Sequence, residues 1–99
     1  MPQDVAQTVS TLEGVEDVKV VGVPSDFYGE EVAACIQLKP GAVFDEAQAK
    51  QLLAGKITAF KSPSYFFLFE KLPLLSNGKL DSLSIAQEAR RRARNAQKL

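Results

Sequence analysis

Few residues in this sequence could do chemistry, because histidine is absent and cysteine occurs once. Without histidine, a Ser-His or Cys-His relay and the commonest zinc ligand are excluded. Cys35 lies in the apolar run 32–36, where a buried strand thiol is a simpler interpretation than a nucleophile. Lys79 directly follows Asn77 and Gly78, a pair that tolerates positive φ and predicts a tight hairpin turn. A charged amine with three donors is therefore expected just past a loop tip, although an ordinary surface lysine would follow the same pattern.

The elements before this loop can be predicted from the spacing of apolar residues. A helical period favours a helix over Gln3–Leu12, and β-branched residues indicate a strand over Val15–Pro24. The turn-forming segment Ser25–Glu30 separates it from a second apolar strand, Glu31–Leu38, so the pair is expected to form an antiparallel hairpin or to lie as near neighbours. Gly29 in this turn is expected to adopt positive φ, or to let the backbone approach a ligand.

The middle of the chain alternates between a helical and a strand pattern. Asp45 is expected to cap a helix that ends before Pro63. Its apolar face is formed by Ala49, Leu52, Leu53, Ile57 and Phe60. The aromatic run Tyr65–Phe69 then predicts a buried strand.

Good helix formers follow the Asn-Gly turn from Asp81 or Ser82 to the end of the chain. The apolar stripe of this last helix consists mostly of alanine and can bury little area, so residues 86–99 are expected to fray. Four arginines near its end are expected to form a solvated face that complements the helix dipole; they are Arg90, Arg91, Arg92 and Arg94.

Composition excludes several classes of protein. With 99 residues, of which 45% are hydrophobic and 24% charged, the chain is expected to form one globular domain. Twelve basic and twelve acidic residues cancel, which argues against nucleic-acid binding. No apolar run approaches the roughly 20 residues that span a bilayer, and no leader pattern opens the chain, so we expect no membrane span and a cytoplasmic location. The predicted fold class is α+β, with a small mixed sheet, a β-hairpin and about three flanking helices.

Three segments, taken in order, resemble a known family. The matching segments are Val20–Ser25 with Tyr28–Ala34, then Phe60–Pro63, then Leu72–Asp81. Together they are similar to the C-terminal domain of the acyl- and aryl-CoA synthetases, peptide-synthetase adenylation domains and luciferases, all AMP-forming adenylating enzymes. Each motif alone is weak, but the shared order covers nearly the whole chain.

This resemblance implies specific roles in an ATP-dependent acid–thiol ligase. Lys79 matches the family's catalytic lysine, which neutralises charge as a carboxylate attacks the α-phosphate of ATP and pyrophosphate leaves. Gly29, Phe60, Lys61 and Gly78 resemble positions near CoA or the nucleotide. Mg²⁺ is expected to be bound with ATP outside this domain, and no metal site is expected within it.

The resemblance also implies that the chain acts with a large N-terminal domain, in cis or in trans, which binds ATP and the acid. The present domain would swing between an adenylating pose and a thioester-forming pose. The isolated chain is accordingly expected to be inactive.

Two alternatives remain open at this point. Ser62 and Ser64 stand where some CoA ligases have basic residues, and Ser82 stands where family members often carry an arginine. Leu72–Asp81 looks closer to domains that load a phosphopantetheinyl carrier protein, whereas Gly22–Pro24 and Tyr28–Glu30 look more like CoA ligases. A non-catalytic binding module that uses the Tyr65–Phe69 strand or the alanine-rich helix to hold a partner is an alternative of another class.

Overall fold

A three-stranded mixed sheet organises the molecule, which we describe from a computed structural model at residues 5–56 and 62–97. Strands β1 (Val15–Ser25) and β2 (Gly29–Leu38) form an antiparallel hairpin. Strand β3 (Tyr65–Phe69) pairs with β2 in parallel, so the strand order is β1-β2-β3. The mixed sheet and the hairpin confirm the predicted α+β class.

Helices cover both faces of this sheet. They are α1 (Val5–Ser10), α2 (Glu46–Ala54) and α3 (Ser82–Gln97). One core cluster joins Val9 of α1 and Leu53 of α2 to Ile36 of β2. A second cluster, on the other face, joins Ile85 of α3 to Cys35 of β2. Because alternate residues of a strand point to opposite faces, neighbouring residues of β2 contribute to different clusters.

Helix α2 is shorter than the sequence pattern suggested. Its N-terminus is as predicted, since the Asp45 carboxylate accepts a hydrogen bond from the Gln48 backbone nitrogen at 3.1 Å. The helix ends at Ala54, and the Lys56 nitrogen donates to the Leu53 oxygen at 3.0 Å, a three-residue bond that closes its last turn. Ile57 and Phe60, which were expected to extend its apolar face, lie outside the described residues.

Strand β3 is formed as predicted, but most of it is not buried. It lies at the edge of the sheet, where Leu68 is 46% exposed and, of its five residues, Phe69 alone is buried. Its aromatic residues serve both faces, with Phe66 packed against the first cluster and Phe67 against the second. The aromatic run therefore reflects two-sided packing at an edge and not complete burial.

Helix α3 packs closely on the sheet despite its small side chains. Ala89 and Ala93 are fully buried, in the same cluster as Phe69 and Cys35. The alanine stripe that the binding-module alternative would use is thus covered by the sheet, mainly by β1, whereas β3 keeps an exposed Leu68 at the sheet edge. The helix continues to Gln97, and the fraying expected of residues 86–99 stays a prediction.

Candidate functional site

Lys79 lies just past the tip of a hydrogen-bonded hairpin. Leu74 and Leu80 form an antiparallel bridge, and the Leu75 nitrogen donates to the Lys79 oxygen at 2.7 Å. The turn closes where the Gly78 nitrogen donates to the Leu75 oxygen at 2.9 Å. Gly78 has a φ of 87°, whereas Asn77 does not adopt positive φ. The loop is therefore a three-residue connection, and of the Asn-Gly pair that was expected to tolerate positive φ, Gly78 alone adopts it.

The Asn77 side chain has a different role from the one expected. Its Oδ1 accepts a hydrogen bond from the Lys79 backbone nitrogen at 3.0 Å, which fixes the backbone of the candidate catalytic residue. Lys79 itself is exposed and takes part in none of the ion pairs formed within residues 5–56 and 62–97. Its ammonium is therefore free to meet a negative group brought by another molecule or domain.

The root of the hairpin is anchored to the core. Leu72 is 1% exposed, and its backbone nitrogen donates to Oε1 of Gln37 in β2 at 2.7 Å. On the other arm, the Asp81 nitrogen donates to the Pro73 oxygen at 2.9 Å. An exposed loop whose base is hydrogen-bonded to the core can present a side chain at a defined position outside its own domain.

Asp81 also caps helix α3. Its Oδ1 accepts from the Ser84 nitrogen at 3.1 Å, and its Oδ2 accepts from the Ser84 hydroxyl at 2.7 Å. These hydrogen bonds from Ser84 lower the pKa of the Asp81 carboxyl, with the hydroxyl making the larger contribution. The hairpin and the helix are consequently joined without a flexible linker. The Asp-x-x-Ser spacing is a readable cap signal that sequence analysis did not assign.

The turn between β1 and β2 holds Gly29, the second site residue predicted from the sequence. Gly29 has a φ of 78°, and a Cβ atom placed on it would meet nothing within 4 Å. Conformation and not space therefore requires glycine here. The Ser25 hydroxyl accepts from the nitrogens of Phe27 and Tyr28 at 3.2 and 3.1 Å. Both rings project into solvent, with Phe27 88% and Tyr28 78% exposed.

The two turns lie at opposite ends of the sheet. Gly29 begins β2, while Gln37, which holds the Lys79 hairpin, lies near the end of the same strand. At about 3.3 Å per residue, the eight steps between them span roughly 26 Å. The structure therefore does not bring Gly29 together with Gly78 and Lys79. Phe60 and Lys61 lie outside the described residues.

Cys35 is the structural thiol that the sequence favoured. It is fully buried in β2, and burial raises the pKa of its thiol to about 11, a rise that the charge of Arg92 reduces only in part. A thiol that is protonated and shielded from solvent cannot act as a nucleophile at neutral pH.

Arg92 corrects the expectation of a solvated arginine face. Its guanidinium donates to the Leu68 oxygen at 2.7 Å and lies 4.3 Å from the centre of the Phe69 ring. It also bonds the carboxylate of Glu88 at 2.7 Å, as does Arg91. Arg92 thus fastens α3 to the edge strand, a long-range contact that helical spacing alone could not reveal.

The fold is a small α+β domain that presents an anchored hairpin, and the comparison with protein families identifies the family. The family model described as the AMP-binding enzyme C-terminal domain matches residues 4–79. This chain belongs to that family. The resemblance found in the sequence is thereby confirmed.

Curated relatives are acyl-CoA ligases by name. The chain is 34% identical over 90 residues to the human medium-chain acyl-CoA ligase ACSF2, mitochondrial, which covers 91% of this chain and 15% of that protein. It is 32% identical over 87 residues to a putative acyl-CoA synthetase, YngI, of Bacillus subtilis, covering 88% of this chain and 16% of the relative. The chain thus spans about one seventh of the length of the relatives that it matches.

Solved structures share the fold. ATP-bound MatB from Rhodopseudomonas palustris superposes with a TM-score of 0.82 at 28% identity, covering 90% of this chain and 18% of MatB. The anthranilate CoA ligase AuaEII in complex with anthranoyl-AMP gives a TM-score of 0.79 at 26% identity, with the same coverage of each chain.

The cytoplasmic location expected from the sequence is contradicted. The ACSF2 relatives from rat, macaque and human are mitochondrial proteins by name. The expectation depended on the absence of a leader, which carries no information in a chain that covers so small a part of its relatives. In the part of the chain that the structure describes, no helix is both long and apolar enough to cross a membrane.

Proposed function

We propose that this chain is the C-terminal catalytic lid of an AMP-forming acyl-CoA synthetase and that Lys79 is its catalytic side chain. The observation that carries the proposal is an exposed lysine on a hairpin anchored at both arms, in a chain that belongs to the AMP-binding enzyme C-terminal family. A charged group held in this way serves a site that lies outside its own domain.

In the first half-reaction, the carboxylate of the acid attacks the α-phosphate of ATP and pyrophosphate leaves. Negative charge grows on the phosphoryl oxygens at the transition state, and the Lys79 ammonium stabilises it. Lysine suits this role because it is a point charge on a long stem, and it acts here as an electrostatic partner and not as a base. A large N-terminal domain, in cis or in trans, binds the acid, ATP and the accompanying Mg²⁺.

In the second half-reaction, a thiol attacks the acyl-adenylate and AMP leaves. About 26 Å of β2 separates Gly29 from Gln37, which holds the base of the Lys79 hairpin, and this separation supports different centres for Gly29 and Lys79. The domain therefore turns between two poses, one for each end of the sheet. In the thioester pose, the Gly29 turn borders the thiol. Phe60 and Lys61 remain proposed neighbours of the CoA nucleotide.

CoA is the proposed acceptor, and a fatty or other carboxylic acid the proposed substrate, because the curated relatives are acyl-CoA ligases by name. A phosphopantetheinyl carrier protein is the competing acceptor, which the Leu72–Asp81 segment favours. The non-catalytic module loses support at one of its two surfaces, because the alanine stripe of α3 is buried against the sheet.

The test uses this chain together with the matching N-terminal part. We expect carboxylate-dependent ATP–pyrophosphate exchange only when both parts are present. Free CoA and a carrier protein are then compared as acceptors with the same adenylate. Exchange by the N-terminal part alone at the full rate would contradict the lid role, and a clear preference for the carrier would overturn the assignment of CoA.

A further inference from the structure

The side-chain amide of Gln97 joins the end of α3 to the β1–β2 turn. Its Nε2 donates to the Pro24 oxygen at 2.9 Å and to the Tyr65 hydroxyl at 3.1 Å. Its Oε1 accepts from the Asp26 nitrogen at 3.1 Å. Both amide hydrogens and one acceptor site are used, so one side chain contacts β1, the adjoining turn and β3.

The contacted groups lie where the ladder of the sheet ends. Ser25 and Gly29 form the last pair of the β1–β2 hairpin. Pro24 and Asp26 flank Ser25, whose hydroxyl holds the nitrogens of Phe27 and Tyr28. Gln97 thus fixes the backbone on both sides of the residue that shapes the turn.

The contact is specific to an amide side chain. The Asp26 nitrogen needs an acceptor and the Pro24 oxygen needs a donor, and the glutamine amide supplies both from one planar group. Glutamate would keep the acceptor and lose both donors. Leucine, of similar size, would lose all three hydrogen bonds.

We propose that Gln97 is a positioning residue for the β1–β2 turn, and that it supports thioester formation and not adenylation. The inference depends on the proposed function, in which this turn borders the thiol while Lys79 serves the α-phosphate from the other end of the sheet. Helix α3 has 16 residues and is about 24 Å long. Its first turn is capped by Asp81 of the Lys79 hairpin, and Gln97 at its other end holds the β1–β2 turn.

The first test is hydrogen exchange on the 99-residue chain, which does not depend on any activity. Gln97→Leu is expected to accelerate exchange of the Asp26 amide roughly tenfold, the equivalent of one net hydrogen bond. The Ile36 amide in the central strand should exchange as in the parent chain. Gln87→Leu, at an exposed glutamine of the same helix, is the matched control and should change neither amide. Equal rates for Asp26 in the parent and Gln97→Leu chains would overturn the contact.

The second test separates the half-reactions in the complete enzyme. Gln97→Leu is expected to slow thioester formation from a supplied acyl-adenylate roughly tenfold. Gln97→Glu keeps the acceptor, so its rate of thioester formation should fall less than that of Gln97→Leu. ATP–pyrophosphate exchange should persist in both variants. If both half-reactions fall equally, or neither falls, Gln97 has no positioning role. If exchange is independent of Lys79, it is the proposed function that fails and not the Gln97 contact.

Discussion

Leu72 determines whether the Lys79 hairpin has a fixed root. It is 1% exposed and packs with Ile85 and Phe69, and its backbone nitrogen is held by Gln37. Leu72→Ala removes most of a buried side chain and leaves a cavity, which typically costs about 2–5 kcal/mol. At about 3 kcal/mol, the unfolding equilibrium constant rises roughly 150-fold. Because a domain of this size has a total stability of roughly 5–15 kcal/mol, this change takes a large share of it.

Urea unfolding followed by far-ultraviolet circular dichroism measures this effect. With a slope of roughly 1–3 kcal/mol per molar, the midpoint of Leu72→Ala should fall by about 1–3 M urea. Leu83→Ala, at a leucine that is 67% exposed in the first turn of α3, is the matched control and should change stability by less than about 0.5 kcal/mol. Equal midpoints for the parent chain and Leu72→Ala would refute the view that the hairpin root is part of the core.

Three further predictions concern local interactions. Asp45→Ala removes the cap of α2 and should cost about 1 kcal/mol in the same urea assay, with an unchanged slope. Hydrogen bonds from Arg91 and then Arg92 lower the pKa of Glu88 from 4.5 to about 2. The contribution of Glu88 to stability is therefore present above pH 4.5 and lost as the pH falls towards 2. In Glu88→Gln, the free energy of unfolding measured in urea should change less with pH over that range than in the parent chain. Cys35 should react with a thiol reagent at pH 8 only in urea, and rapid labelling of the native chain would contradict its burial.

Local patterns in the sequence were sufficient to predict most elements. The β-branched run before Pro24 defined β1, and the Asp45 cap marked where α2 begins, because both signals lie within a few residues of the structure that they specify. Gly78 and the position of Lys79 at a loop tip were predictable for the same reason. The family resemblance added the proposed role of Lys79, which no spacing could supply.

Contacts between distant parts of the chain could not be predicted from local patterns. Gln37 bonds Leu72 across 35 residues, and Gln97 bonds Asp26 across 71. Neither glutamine differs in sequence from an ordinary surface residue, since backbone groups are the partners of Gln37 and, apart from the Tyr65 hydroxyl, those of Gln97. The edge position of β3 was missed because an aromatic run is equally compatible with a central strand and with an edge packed on both faces.

The central claim is that Lys79 completes the adenylating site and has no part in the thiol step. The direct measurement compares both half-reactions in the complete enzyme with Lys79→Ala, using Lys39→Ala, an exposed lysine outside the hairpin, as the control. We expect ATP–pyrophosphate exchange to fall roughly 10²- to 10³-fold in Lys79→Ala, as for the loss of one transition-state donor. Thioester formation from a supplied acyl-adenylate should stay within about twofold, a change of less than about 0.5 kcal/mol. Exchange that proceeds at the parent rate without the Lys79 ammonium would contradict the account.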